Sequence, residues 1–164
     1  MDTDFIPDET NGRLLRDAFS KFASGVTVVT AMSEEGPVGI TANSFSSLSI
    51  DPPLVIWSPS VGSRRFPYFE NAEYFAIHVL AADQEEICFD FAKSPFAFEA
   101  LEPEFNAQNV PLLKGCLARF ECRKHAVHPG GDHVIVVGQI ERVSMQDGAA
   151  LAFFSGQFRA LDPN

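Results

Sequence analysis

Hydrophobic positions recur along this chain with two different periods. Over residues 11–23 (NGRLLRDAFSKFA), Leu14, Leu15, Ala18, Phe19 and Phe22 share one helical stripe, while Arg13, Arg16, Asp17 and Lys21 lie around the rest. This predicts a single amphipathic opening helix. The period then shortens. Val26-Thr27-Val28-Val29-Thr30 is a β-branched run that favours a strand, Glu34-Glu35-Gly36-Pro37 reads as a turn, and Val38 to Asn43 can return as the hairpin partner. Leu48 to Trp57 is interrupted by Asp51-Pro52-Pro53, which cannot sit in a central ladder; Leu54 to Trp57 remains as a buried strand beyond the bend.

Further along, Ser63 to Asn71 suits a short helix with Ser63 as N-cap, Tyr74 to Leu80 a strand, and Ala82 to Lys93 a helix. Residues 94–111, rich in Pro, Phe and Glu, predict an irregular excursion. Cys116, Ala118, Phe120 and Cys122 then alternate with Arg119, Glu121 and Arg123, the pattern of a half-buried strand. Asp132 to Ser144 and Leu151 to Phe154 supply the last strands. The tally is about six to eight strands and two or three helices, with none of the βα alternation of a doubly wound sheet. A mainly β fold follows, an antiparallel barrel with peripheral helices.

Length and composition narrow this picture. A chain of 164 residues with 46% hydrophobic content is enough for one substantial core, so residues 1–164 are read as one domain, with residues 1–10 as a flexible acidic N-terminus. Sixteen Phe against two Tyr and one Trp must be hidden in a core, in a subunit interface or under a flat ligand. The net charge of −10, with no local Lys/Arg run, argues against nucleic acid and anionic membranes as partners. The first ten residues lack the basic start and apolar run of a secretory signal, and no stretch approaches a membrane span, so a cytoplasmic protein is expected. Cys88, Cys116 and Cys122 are odd in number and lie in apolar segments, which fits buried free thiols.

Three segments carry candidate chemistry. Residues 39–49 (GITANSFSSLS) bring small and hydroxylated residues between hydrophobic strands, where a ligand gains close access to backbone donors and acceptors; a Ser-rich loop satisfying itself is the alternative. Ser58, Ser60, Ser63 and Arg64 form a second cluster suited to a phosphate, or to an ordinary helix cap with solvated arginines. His128-Pro129-Gly130-Gly131-Asp132-His133 is a tight turn that sets an Asp-His pair at the mouth of a strand. Cys122, His125 and His128 are spaced by three, but residues three apart on a strand point to opposite faces, so no metal site is expected. Trp57 and Phe153-Phe154 read as core. The dinucleotide, phosphate-loop and nucleophile-elbow signatures do not occur.

In their order along the chain, FASGVTVVT (22–30), GITANSFSSLSIDPPLV (39–55), GSRRF (62–66), FAIHVLAADQ (75–84), GDH (131–133) and FFSGQFRAL (153–161) resemble the short-chain flavin reductase family, the reductase components of two-component flavin monooxygenases. The resemblance runs from about Leu15 to Leu161. It implies a split β-barrel of the FMN-binding type, Greek-key-like and antiparallel, that forms a homodimer and holds flavin near the subunit interface. It also implies that Thr41, Ala42, Asn43, Ser44 and Phe45 line the isoalloxazine with Ser47 and Leu48 beside it. Ser63 and Arg64 would hold phosphate with Ser58 and Ser60 nearby, and His78 and Val79 would fall at a further flavin contact. His133 and the segment Ser155-Gly156-Gln157-Phe158 would face the nicotinamide. Two positions depart from the common pattern: His78 stands where Asn is frequent, and Phe154-Ser155-Gly156 replaces aromatic-Arg-Gly.

The activity so implied is NAD(P)H-dependent reduction of FMN or FAD, with hydride passing from nicotinamide to flavin and reduced flavin leaving for a separate monooxygenase. His133 would orient the carboxamide or assist proton balance. One alternative on the same fold is a non-enzymatic flavin-binding or electron-relay protein. Another is an oxidase or oxygenase acting directly on a small substrate.

Overall fold

Alternation of burial along the strands explains how the chain assembles. In the computed structural model, which describes residues 2–164, β2 (Thr27–Ser33) sends Val29 and Ala31 to one face and Val28 to the other. Val29 and Ala31 join a core with Val55, Trp57, Phe69, Phe75 and Ile77, whereas Val28 joins Val26, Leu80, Phe91 and Leu151. A strand buried on both faces has to be covered twice, and α3 (Glu85–Lys93) covers the second face.

The main sheet has seven antiparallel strands in the order β3-β2-β6-β9-β10-β5-β4. The others are β3 (Gly36–Ala42), β4 (Ser46–Ser49), β5 (Leu54–Trp57), β6 (Tyr74–Val79), β9 (Ala118–Gly130) and β10 (His133–Met145). Its edges, β3 and β4, are not paired with each other, so the sheet is open. A second sheet holds β1 (Ser24–Gly25), β11 (Ala150–Phe154) and β12 (Gln157–Leu161). Three backbone bonds join the two sheets: Val26 N–H donates to Leu151 O, Leu80 N–H to Val26 O, and Leu151 N–H to Leu80 O. The architecture is mainly β with few helices, as expected.

Three boundaries differ from the expectation. The opening helix, α1 (Gly12–Phe19), is shorter, and none of its residues is buried. The short helix α2 (Phe66–Asn71) begins after Arg65, and Ser63 does not cap it: Ser63 Oγ accepts from Arg65 N–H in the turn before. The helix expected from Ala82 starts as a 3-10 turn, Ala82–Gln84, and becomes α-helical at Glu85. The excursion at 94–111 is irregular as read, apart from the end of a small ribbon, β7 (Glu104–Phe105) with β8 (Pro111–Leu112). Strand β12 was not foreseen. No helix among the described residues is long and apolar enough to cross a membrane.

Candidate functional site

Helix α3 is fixed against the loops that carry most of the candidate residues. Gly39 on β3 permits this approach: a Cβ there would lie 2.5 Å from the ring of Phe91, which is fully buried and has no room to retreat. Gly39 N–H donates to Pro95 O at 2.9 Å, and Thr41 Oγ1 donates to Cys88 O at 2.7 Å. From the other side, Arg65 Nη1 and Nη2 donate to Phe91 O and Ala92 O, each at 2.8 Å, and so serve carbonyls at the C-terminal end of the helix. Partial burial lowers the Arg65 pKa from its ordinary value, by desolvation alone.

Two cavities result. The first, about 200 Å³, is lined by Thr41, Ala42 and Asn43 together with Val26, Cys88, Phe153 and Phe158. Two aromatic rings, small residues and nearby backbone amides make a slot for a flat apolar ring with a polar edge, and no carboxylate lines it. Phe153 and Phe158 face each other across the β11–β12 hairpin with centroids 5.2 Å apart. The tip of that hairpin is Ser155-Gly156, at φ +48° and +77°; the left-handed geometry suits glycine and is uncommon for serine. Lys21 Nζ donates to Ser155 Oγ at 3.3 Å, so the tip is tied to the end of α1. The second cavity, about 430 Å³, is lined by Ser63, Arg64, Arg65, Tyr68, Ala92, Lys93 and Pro95, again without a carboxylate.

A polar seam connects further candidates. Ser44 Oγ accepts from Ser58 N–H at 2.9 Å, which fastens the loop after β3 to the end of β5. Ser60 forms a β-bridge with His133, and Val61 N–H donates to Asp132 O at 3.0 Å. His133 Nδ1 lies 2.7 Å from Asp132 Oδ1; this bond, then the imidazole's charge, holds the Asp132 carboxyl below its usual range. With Nδ1 engaged, Nε2 has no protein partner among the described residues.

Several expected residues stand apart from the cavities. Ser47 and Leu48 are exposed on the edge strand β4, and Phe45 stacks on Phe120 at 5.4 Å, against the core. Val79 is half-buried on β6 between Thr27 and Ala118. The His78 side chain stands apart from the cavities as well. The ring is completely buried: Nδ1 lies 3.0 Å from Val28 O, and Nε2 accepts from Leu113 N–H at 3.0 Å. Burial, with Arg119 adding to it against the Val28 contact, lowers its pKa to about 3, so it is a neutral strut between β2, β6 and the Leu113 segment. Sequence reasoning missed Cys88 and Lys93, took Arg65 only as the neighbour of Arg64, and read Phe153 as core alone. Helix α3 brings Cys88 and Lys93 to the cavities, and the β11–β12 hairpin brings Phe153. The Cys88 thiol is pushed up by burial above all, and its side chain forms part of the slot wall. Cys122 is buried with its thiol pushed up to about 12, whereas His125 and His128 are exposed along β9.

The fold and site together are those of a mainly β protein with an open antiparallel sheet and an aromatic slot beside a cationic cavity. The chain belongs to the flavin reductase like domain family, whose model matches residues 19–162. It is 50% identical over 154 residues to the FMN reductase (NADH) SmoA of Agrobacterium fabrum, spanning 94% of this chain and 88% of that protein. It is 41% identical to the 4-hydroxyphenylacetate 3-monooxygenase reductase component of Thermus thermophilus, over 89% of this chain and 94% of that one. Among solved structures, the NADH:FAD oxidoreductase SgcE6 of Streptomyces globisporus superposes with a TM-score of 0.90 at 32% identity, covering 99% of each chain.

Proposed function

We propose that this chain is an NADH-dependent flavin reductase that supplies reduced flavin, FMN or FAD, to a separate monooxygenase. The observation that carries the reading is the pairing of the aromatic slot at Thr41–Asn43 with a carboxylate-free cationic cavity in a chain of net charge −10. Names of relatives support it: an NADH-dependent flavin reductase of Rhodococcus is 38% identical, and the Thermus relative is the reductase component of a monooxygenase.

Bound flavin would supply the acceptor for the hydride of a reduced nicotinamide. The chain's own residues bind and align. Thr41, Ala42 and Asn43 offer backbone groups to the ring edge, and Phe153 and Phe158 exclude water from one side of the slot. Thr41 is held in place by Cys88 O, and Ser44 by Ser58, so the loop presenting these groups is set before ligand arrives. Ser63 and Arg64 hold phosphate, with Ser58 and Ser60 nearby. His133, braced by Asp132, orients the carboxamide through its free Nε2. Gly156 shapes the hairpin tip that carries Phe158.

The reading includes a homodimer, supported by apolar side chains left in solvent: Ile50 is 92% exposed and Met145 85%. It puts the reaction in the cytoplasm, where reduced nicotinamides are made and consumed. The test is steady-state oxidation of NADH and NADPH by the purified protein with FMN, FAD or neither. Flavin-dependent oxidation with NADH preferred is the expected result, and His133→Ala should lower turnover about tenfold with flavin affinity within about twofold. Flavin binding without any nicotinamide oxidation would replace this reading with that of a flavin-binding module.

A further inference from the structure

A cavity of about 470 Å³ lies outside the site described above, between the turn that joins β2 to β3 and one side of α2. Pro67, Tyr68 and Asn71, three and four residues apart along the helix, line it from α2, and Met32, Glu34 and Glu35 line it from the hairpin. Its walls are set in the absence of any ligand. Glu35 N–H donates to Ser33 Oγ at 3.2 Å and Ser33 Oγ donates to Gly36 O at 2.8 Å, which fixes the turn. The Tyr68 hydroxyl donates to Glu35 Oε2, which ties the turn to α2.

The chemistry around this space matches adenosine part by part. Met32, Pro67 and the Tyr68 ring supply apolar and polarisable surface on which a purine can lie. A carboxamide such as that of Asn71 can donate to adenine N7 and accept from the 6-amino group at once. The carboxylates of Glu34 and Glu35 can accept from ribose hydroxyls, as acidic side chains do in other dinucleotide sites. A basic side chain of another protein would use the carboxylates alone and leave the amide and the ring face idle. The volume falls within the roughly 300–1,000 Å³ of pockets that enclose small organic ligands.

Position shows what the adenosine is attached to. Tyr68 also lines the cationic cavity, so the two spaces adjoin across one side chain. The cationic cavity has Arg64 and no carboxylate, whereas this one has two glutamates and no Lys or Arg. A nucleotide laid across Tyr68 can therefore put its phosphates on the Arg64 side only, because the carboxylates repel them, and its neutral nucleoside on the other. Charge fixes the direction of the molecule.

We propose that the cavity between the β2–β3 turn and α2 is an adenosine site, in which Asn71 reads the adenine edge and Glu34 and Glu35 hold the ribose hydroxyls of a dinucleotide whose phosphates lie beyond Tyr68. This rests on the flavin reductase reading, which brings two adenosine-bearing molecules to the protein, FAD and the reduced nicotinamide dinucleotide.

The experiment combines fluorescence-quenching titration with riboflavin, FMN and FAD, the KM for NADH with riboflavin as acceptor, and calorimetric titration with AMP and IMP. It compares wild type with Asn71→Ala and Glu34→Gln; both positions are exposed, and unchanged melting confirms that the variants fold. The expected result is that Asn71→Ala weakens one adenosine-bearing ligand about tenfold while FMN and riboflavin stay within about twofold. A loss confined to FAD assigns the site to the flavin dinucleotide, and a raised KM for NADH at unchanged FAD affinity assigns it to the nicotinamide dinucleotide; either result supports the proposal. AMP should bind wild type more tightly than IMP, whose 6-oxo group cannot donate to Asn71, and Asn71→Ala should remove the difference. FAD affinity and KM for NADH both within about twofold of wild type in the two variants overturn the proposal. Failure of every flavin to bind, with AMP still bound in an Asn71-dependent way, would remove the flavin reading and leave the adenosine site standing.

Discussion

Histidine 78 illustrates how burial decides the task of a side chain that sequence alone offers for chemistry. Its strand, YFAIHV, is apolar on both faces, and the polar member is tolerated because both ring nitrogens find backbone partners. A folded-state pKa of about 3, against 6.5 when exposed, means that between these values the unfolded chain binds a proton that the native chain does not. Stability should therefore be level above pH 6.5 with respect to this group, and fall by about 1.4 kcal/mol per pH unit as acid is added below it. Urea unfolding of wild type and His78→Gln between pH 4.5 and 7.5 isolates this share from that of the carboxylates. Parallel pH profiles for the two proteins would show that His78 is not the group responsible.

Helix α3 works as an element because three contacts hold it to two segments: Gly39 beneath Phe91 and Thr41 on Cys88 O, both on β3, and Arg65 on the last carbonyls. Arg65→Ala should cost about 1–2 kcal/mol, since the bonds are charge-assisted but Arg65 is only partly buried, and should raise the KM for flavin by loosening the loop that carries Arg64. Arg65→Lys should recover little of the loss, because an ammonium cannot reproduce the two-pronged contact. An unaltered flavin KM in a destabilised Arg65→Ala protein would limit the residue to stability. Adjacent arginines with separate tasks are not distinguishable in sequence: GSRRF reads as one basic pair, and only the approach of α3 assigns one member to carbonyls and leaves the other in solvent. Ser63 fails as a cap because its Oγ is taken by Arg65 N–H in the turn before α2, which begins only at Phe66. By contrast, the strands β5 and β6 are legible nearly to their ends, whereas β2 and β9 continue past the predicted Thr30 and Arg123, β9 as far as Gly130 through residues read as a turn. Strand β12 is not legible, because of its five residues only Phe158 is even half-buried.

At the scale of the whole molecule, the mainly β class followed from local periodicity, but the strand order did not. Pairings such as Thr27 with Val79 and Trp57 with Val136 join segments far apart in sequence, and no local signal encodes them. The open edge strand β4 and the exposed Ile50 lie on the surface expected to meet a second copy. Ile50→Asp should shift the protein from dimer towards monomer in light scattering after size exclusion, and a monomeric wild type at micromolar concentration would refute the pairing. The aromatic slot has a further consequence. At about 200 Å³ it is smaller than the roughly 300–1,000 Å³ of pockets that enclose their ligands, so on its own it is a shallow seat. On the flavin reductase reading the occupant is also cargo for another protein, and a shallow seat makes its residence time depend on how firmly the far end of the molecule is held.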